Sequence, residues 1–128
     1  MNIKKFRAGN YVTELRVNSE KRRIEDVVIM LHHIPFNFAE KLENGSLKPI
    51  KLNINWLDDF GFIQKSEFDY TKGRFVVHID GFNVCRFYVF LLESTKVYLC
   101  TPEYVHELQN VYLDLHDEDL IRKEETHE

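Results

Sequence analysis

Six histidines, two cysteines and several acidic pairs are the side chains of this 128-residue chain that could act on a substrate or hold a metal. His106-Glu107 opens like the helix of a zinc protease, but that pattern needs a second histidine one turn on, and Asn110 stands there, so a zincin site is excluded. A zinc set can be drawn from Cys85, Cys100, His78 and His106, yet no pair of them has tight ligand spacing. Cys100 falls in an extended run where a small apolar side chain packs well, and both cysteines read as reduced and buried. His32 and His33 point to opposite sides of an extended chain and cannot share a metal. Asp58-Asp59 and Asp117-Glu118-Asp119 are helix neighbours that diverge by about 100°, so neither makes a general acid/base couple. There is no G-x-S-x-G and no glycine-rich phosphate loop, with five Gly in all. No catalytic residue, cofactor or metal ligand is assigned, and an enzyme is the least supported class.

The element that would position His106 is the clearest helix in the chain. Thr101 supplies an N-cap and Pro102 a first-turn residue whose missing N–H does no harm. Tyr104, Val105, Leu108, Val111, Tyr112 and Leu115 then form one broad apolar side. His106, Asn110 and Leu113 lie opposite that stripe, with Gln109 at its flank. Two readings fit the polar residues. In one, His106, Gln109, Asn110 and Leu113 form an interaction face that offers donors and acceptors to a protein partner. In the other, the two amides tie the helix to a neighbouring loop and the imidazole is solvated or capped.

Upstream, residues 10–17 alternate as a strand, between turns at Gly9-Asn10 and Asn18-Ser19-Glu20-Lys21. Residues 23–34 fit a helical stripe or a strand; Val27-Val28-Ile29-Met30-Leu31 and the short connection favour a strand, ended by Pro35. Residues 36–51 read as loop. Asn53 then caps a short helix near 54–60 with Ile54, Trp56, Leu57 and Phe60 on its apolar side, and Trp56 reads as a core anchor. Gly61 sits where a left-handed residue is wanted, and Phe62 folds back on Leu57. From Ser66 the period is two: residues 68–71, 74–80, 82–92 and 96–100 make an antiparallel meander with Phe75, Val77, Ile79, Phe87, Val89 and Leu91 on one face. The predicted class is α+β, an antiparallel meander of roughly five to seven strands packed by a C-terminal helix. Residues 1–116 form one domain and 117–128 an acidic tail, frayed in part.

With 44% hydrophobic and 30% charged residues the chain is globular. The start carries no apolar leader, and the longest apolar run, Phe87 to Leu92, is far shorter than a membrane span. Two cysteines are too few for a disulfide scaffold. A cytoplasmic protein is expected. The formal charge of −4 argues against indiscriminate nucleic-acid binding. Residues 1–23 nevertheless hold seven Lys/Arg against two acids, whereas residues 114–128 hold seven acids against two bases. These ends are a solvated arm and tail, or a self-complementary pair of patches that drives self-association. A nucleic-acid surface can be drawn from Lys4, Lys5, Arg7, Arg22, Arg23, Arg74, Arg86 and Tyr88, with Tyr70 and Phe82 as further exposed rings on a half-wet sheet.

Three stretches together resemble a known group. They are Phe6-Arg7-Ala8-Gly9-Asn10-Tyr11-Val12; Leu47-Lys48-Pro49-Ile50-Lys51-Leu52 running into Trp56-Leu57-Asp58-Asp59-Phe60-Gly61-Phe62; and Tyr104-Val105-His106-Glu107-Leu108-Gln109-Asn110-Val111-Tyr112. In that order the chain is similar to an uncharacterised family of small proteins from Bacteroidetes phages, prophages and mobile elements. That family's pattern is R-x-G-N-x-V, W-L-x-x-F-G-F and Y-V-H-x-L-Q-N-x-Y. The chain departs from it after the last motif, where Asp114 to Leu120 replaces a stretch that members tend to read A-L-T-G-E-E-L. The resemblance implies a setting, a phage or mobile element in a bacterial host cell, and a shared fold, but no activity. The resulting expectation is a non-enzymatic accessory protein that acts by protein–protein contact in assembly, regulation or interference with a host system. Nucleic-acid binding is the alternative.

Overall fold

The computed structural model describes residues 6–20, 22–80, 84–92 and 95–123, without the side chains of residues 90–92. In chain order the elements are β1 (Tyr11–Asn18), β2 (Arg23–Met30), α1 (Phe38–Glu43), β3 (Leu47–Lys48), α2 (Ile54–Asp59), β4 (Ile63–Gln64), β5 (Asp69–Lys72), β6 (Phe75–Ile79), β7 (Cys85–Leu92), β8 (Thr95–Cys100) and α3 (Val105–His116). Two antiparallel sheets, of three and five strands, and a C-terminal helix make this an α+β fold. Contacts cluster into two compact units, one from Met1–Ile50 and Tyr104–Asp119, the other from Lys51–Glu103 and Leu120–Glu128.

In the first unit β1 and β2 form a hairpin with Tyr11 opposite Met30 and Asn18 opposite Arg23. β3 pairs on the other side of β1, so the strand order is β2-β1-β3. The β-branched run of residues 27–29 is therefore a strand, as its composition suggests. Residues 36–51, expected as loop, hold α1 and β3 instead. The reason is packing: Phe38 and Leu42, one turn apart, reach a cluster of Val12, Leu31 and Leu47 that also takes Phe6 and Ile29. Six residues are too few to show a periodicity in sequence.

In the second unit α2 follows its local cues closely. Asn53 Oδ1 accepts from the Trp56 N–H at 3.2 Å. Gly61 takes φ +90°, its N–H reaches Asp58 O at 3.0 Å, and the Phe62 N–H reaches Leu57 O at 3.0 Å, which is the Schellman pattern. An added Cβ at Gly61 would sit 2.9 Å from Lys72 Nζ, so both the left-handed φ and the close approach favour glycine there. Leu57, Phe60 and Phe62 are buried. Trp56, expected as a core anchor, is only half-buried and lies under the Arg122 guanidinium at 5.7 Å.

The meander runs in the order β4-β5-β6-β7-β8. Phe75, Val77, Ile79, Phe87 and Val89 are buried on one face, with the Phe75 and Phe87 rings stacked at 5.5 Å. Leu91's side chain lies outside the described set. Tyr70, expected as an exposed ring, is buried, because it stands opposite Val77 in register and shares the core face.

On the other face Asp69 lies opposite His78. Asp69 Oδ1 is 2.8 Å from His78 Nδ1, and Ser66 Oγ donates to Asp69 Oδ2 at 3.1 Å. The hydrogen bond from His78, opposed by partial burial and helped by Ser66, holds the Asp69 carboxyl below its ordinary range. A carboxyl depressed in the folded state stabilises the fold above its unfolded pKa, and that contribution is lost as pH falls through the folded value. The stability gap between wild type and Asp69→Asn, read as urea midpoints, is therefore expected to shrink below about pH 4. A gap that stays constant from about pH 6 to about pH 2 contradicts this.

Candidate functional site

The polar residues singled out on the C-terminal helix are not an exposed face. All eight residues from Val105 to Tyr112 are buried, His106, Gln109 and Asn110 among them; Leu113 is half-buried. Leu108 and Val111 of the apolar stripe are fully enclosed, whereas Leu115 is exposed. The helix starts at Val105 rather than after a Thr101 cap. The Val105 N–H donates to Ile50 O at 2.7 Å, and Glu103 O accepts from the Leu52 N–H at 3.0 Å, so the main chain here is held extended until residue 105. Glu107 Oε1 then accepts from the Tyr104 N–H at 2.9 Å and closes the first turn.

Amide side chains buried on these two turns need hydrogen-bond partners within the protein. Asn110 Oδ1 accepts from Arg7 Nε and from Asn10 Nδ2, each at 2.8 Å, and Arg7 also reaches the Asn110 main-chain carbonyl. Gln109 Oε1 accepts from the Tyr11 N–H and its Nε2 donates to Gly9 O, both at 2.9 Å. Arg7 Nη1 adds an ion pair with Asp114 at 3.1 Å. The His106 ring stacks on Phe6 at 3.7 Å and on Tyr104 at 6.0 Å, and Phe6 in turn meets Phe38 edge-on at 5.1 Å. Gln109 and Asn110 thus clasp the segment that leads into β1, and the expected interaction face is corrected to an internal tether. One sequence signal pointed there: Gln109 lies only about 40° from Val105 on a helical wheel, too close to the apolar stripe for a solvated amide.

The residues of the alternative nucleic-acid set are divided between the two units. Arg7 is held in the clasp by Asn110 and Asp114. Arg22 and Arg23 are exposed at the end of the β1–β2 hairpin in the first unit, with Arg23 Nε 2.7 Å from Glu25. Arg74, Arg86 and Tyr88 belong to the second unit. Lys4, Lys5 and Phe82 lie outside the described residues, as do Lys21 and residues 124–128. Among the described residues of the opposite-charge ends, Arg7 pairs with Asp114 within one chain.

Sequence reasoning missed a surface on β1–β2. Leu15 and Val17 share a face, and cross-strand register places Ile24 opposite Val17 on it. This face is buried at Tyr11 but opens outward, with Val17 76% and Ile24 67% exposed. Alternation tells which side chains share a face; it does not tell whether anything covers it.

A cleft of about 480 Å³ in the second unit is lined by Lys51, Leu52, Cys85, Thr101 and Glu103, among others. Burial, reinforced by the charge of Asp80, pushes the Cys85 thiol up to about 11. It stays protonated at neutral pH and is a poor nucleophile. Among the described residues no group of three or more His, Cys, Asp or Glu is placed to hold a metal, and no helix is long and apolar enough to cross a membrane. No family model, curated protein or solved structure matches the chain.

Replacing Asn110 by Leu removes the shared acceptor of Arg7 and Asn10 and is expected to cost about 2–4 kcal/mol in urea unfolding. Asn110→Asp keeps an acceptor for both donors and is expected to cost clearly less. Equal losses for the two variants contradict the clasp.

Proposed function

We propose that this is a small, soluble, non-enzymatic accessory protein of a phage or mobile element, working in the cytoplasm of the bacterial host by gripping another protein. Assembly, regulation of the element, or interference with a host system are the jobs such a protein does. The setting rests on the resemblance of the Arg7–Val12, Trp56–Phe62 and Tyr104–Tyr112 stretches to the phage and prophage family. The mode of action rests on one observation, the outward apolar face of the β1–β2 hairpin.

Val17 and Ile24 are β-branched, paired across the strands and largely exposed. Burying each against a partner is worth about 1.5–3 kcal/mol, enough for two such residues to dominate a small interface. β2 is moreover an edge strand of its sheet. It turns one row of main-chain donors and acceptors away from β1, so a partner's extended segment can add to the sheet while its side chains meet the apolar face. Arg23, Glu25 and Asp26 punctuate the outer half of β2, which limits indiscriminate pairing and lets charge select the partner. The motif residues themselves hold the chain to itself, so recognition falls to surfaces of this kind.

The test compares immobilised wild type with the Val17→Lys/Ile24→Lys double variant for capture from host lysate. Both positions are solvent-facing, so the variant is expected to keep the wild-type unfolding midpoint and to lose the captured protein. A protein held equally by both forms, or nothing held by wild type, contradicts the proposal.

A further inference from the structure

The second face of the five-stranded sheet is buried at Val76, half-buried at Tyr88 and exposed at Tyr98. Phe75, Val77 and Ile79 on β6, and Cys85, Phe87 and Val89 on β7, point inward. The alternate positions therefore point outward. Register sets His78 beside Arg86, Val76 beside Tyr88, and Tyr88 beside Tyr98. The rings fall in two separate pairs, with Val76 and Arg86 at the positions between them. Tyr88 and Tyr98 meet edge-on with centroids 5.6 Å apart, and Phe68 and His78 lie 5.8 Å apart at the β5–β6 side. Tyr98 is 52% exposed and Phe68 40%.

Cations stand among these rings. Lys96 Nζ lies 4.6 Å from the Tyr88 ring centre. Arg86 Nη1 is 3.0 Å from Asp80, and Arg74 is exposed at the start of β6. Of the carboxylates nearby, Asp69 meets His78 and Ser66, and Asp80 meets Arg86. Lys96, over the Tyr88 ring, is the cation placed among the rings of that surface.

We propose that this outer face binds single-stranded nucleic acid. Flat rings accept any base by its π-face, and cations at the same level follow the phosphates. Tyr88 and Tyr98 stand on adjacent strands about 4.8 Å apart, so their rings can seat one or two bases. A duplex keeps its bases stacked inside, and a flat sheet face presents no helix to its major groove, so the single strand is the form that fits. The site is independent of the hairpin face, and each has variants that leave the other intact.

The probes are fluorescently labelled oligothymidylate and oligouridylate of about 12 nucleotides, and a DNA duplex of the same length, titrated by anisotropy. Measurements at about 50 and about 200 mM salt are expected to show saturable binding of a single strand that weakens with salt, and weaker binding of the duplex. Tyr98→Ala is expected to lose about tenfold in affinity while Tyr98→Phe keeps it, since the ring and not the hydroxyl stacks. Lys96→Gln is expected to lower affinity and to reduce the salt slope by about one. The Val17→Lys/Ile24→Lys variant is expected to bind the oligonucleotides no more weakly than wild type. Absence of binding to both single strands at the lower salt overturns the proposal. So does equal binding of the duplex, or a Tyr98→Ala protein that binds as wild type does.

Discussion

Burial of the first two turns of the C-terminal helix on every side is the constraint from which the first unit follows. Eight consecutive residues of α3 are removed from solvent, and three of them are His106, Gln109 and Asn110. An amide with no water to bond to costs more than a made hydrogen bond returns, so Gln109 and Asn110 need partners in the protein. The segment from Phe6 to Tyr11 supplies them. Arg7 and Asn10 converge on the single Asn110 oxygen, and Gln109 spans the Tyr11 N–H and the Gly9 carbonyl. Gly9 takes φ +94° there, and a Cβ on it would stand 3.3 Å from Asp119 Oδ1. Strand β1 enters its sheet from this anchored point, and the hairpin, β3 and α1 are built on it.

The same contacts explain what the motifs are. Arg7, Gly9 and Asn10 of the first stretch meet Gln109 and Asn110 of the last. Leu57, Phe60, Gly61 and Phe62 of the middle stretch form the ending of α2. Residues that look like signatures are here the means by which distant parts of the chain are fastened together. A fold can be shared on such residues while the surfaces that meet partners differ. The surfaces proposed for binding, the hairpin face at Val17 and Ile24 and the outer sheet face at Tyr88, Lys96 and Tyr98, lie outside all three stretches.

The meander, the strand character of residues 23–30 and the capped helix at 54–59 were legible in sequence because local cues agreed: alternation, β-branching, an Asn cap and a Gly-Phe ending. α1 and β3 were not, since elements of six and two residues are made by packing rather than by periodicity. The start of α3 was misplaced because Thr101-Pro102 imitates a helix start, while main-chain bonds at 103 and 105 hold that segment extended. The interaction face on α3 was misread for a related reason. A helical wheel separates polar from apolar, but it cannot see that the polar side also has a neighbour 100 residues away in sequence. Exposure at Val17 and Ile24 was invisible for the converse reason, that nothing local reports an uncovered face.

The most direct measurement is native-state hydrogen exchange at the Tyr11 amide, whose N–H is held by the Gln109 side chain. If the clasp anchors the unit, this amide exchanges only by global unfolding, with the same free energy as the core amides of α3, such as Leu108 and Val111. Exchange of Tyr11 by local opening, as fast as the amides around Val17 at the hairpin end, would show that the segment is merely laid against the helix and would contradict the account.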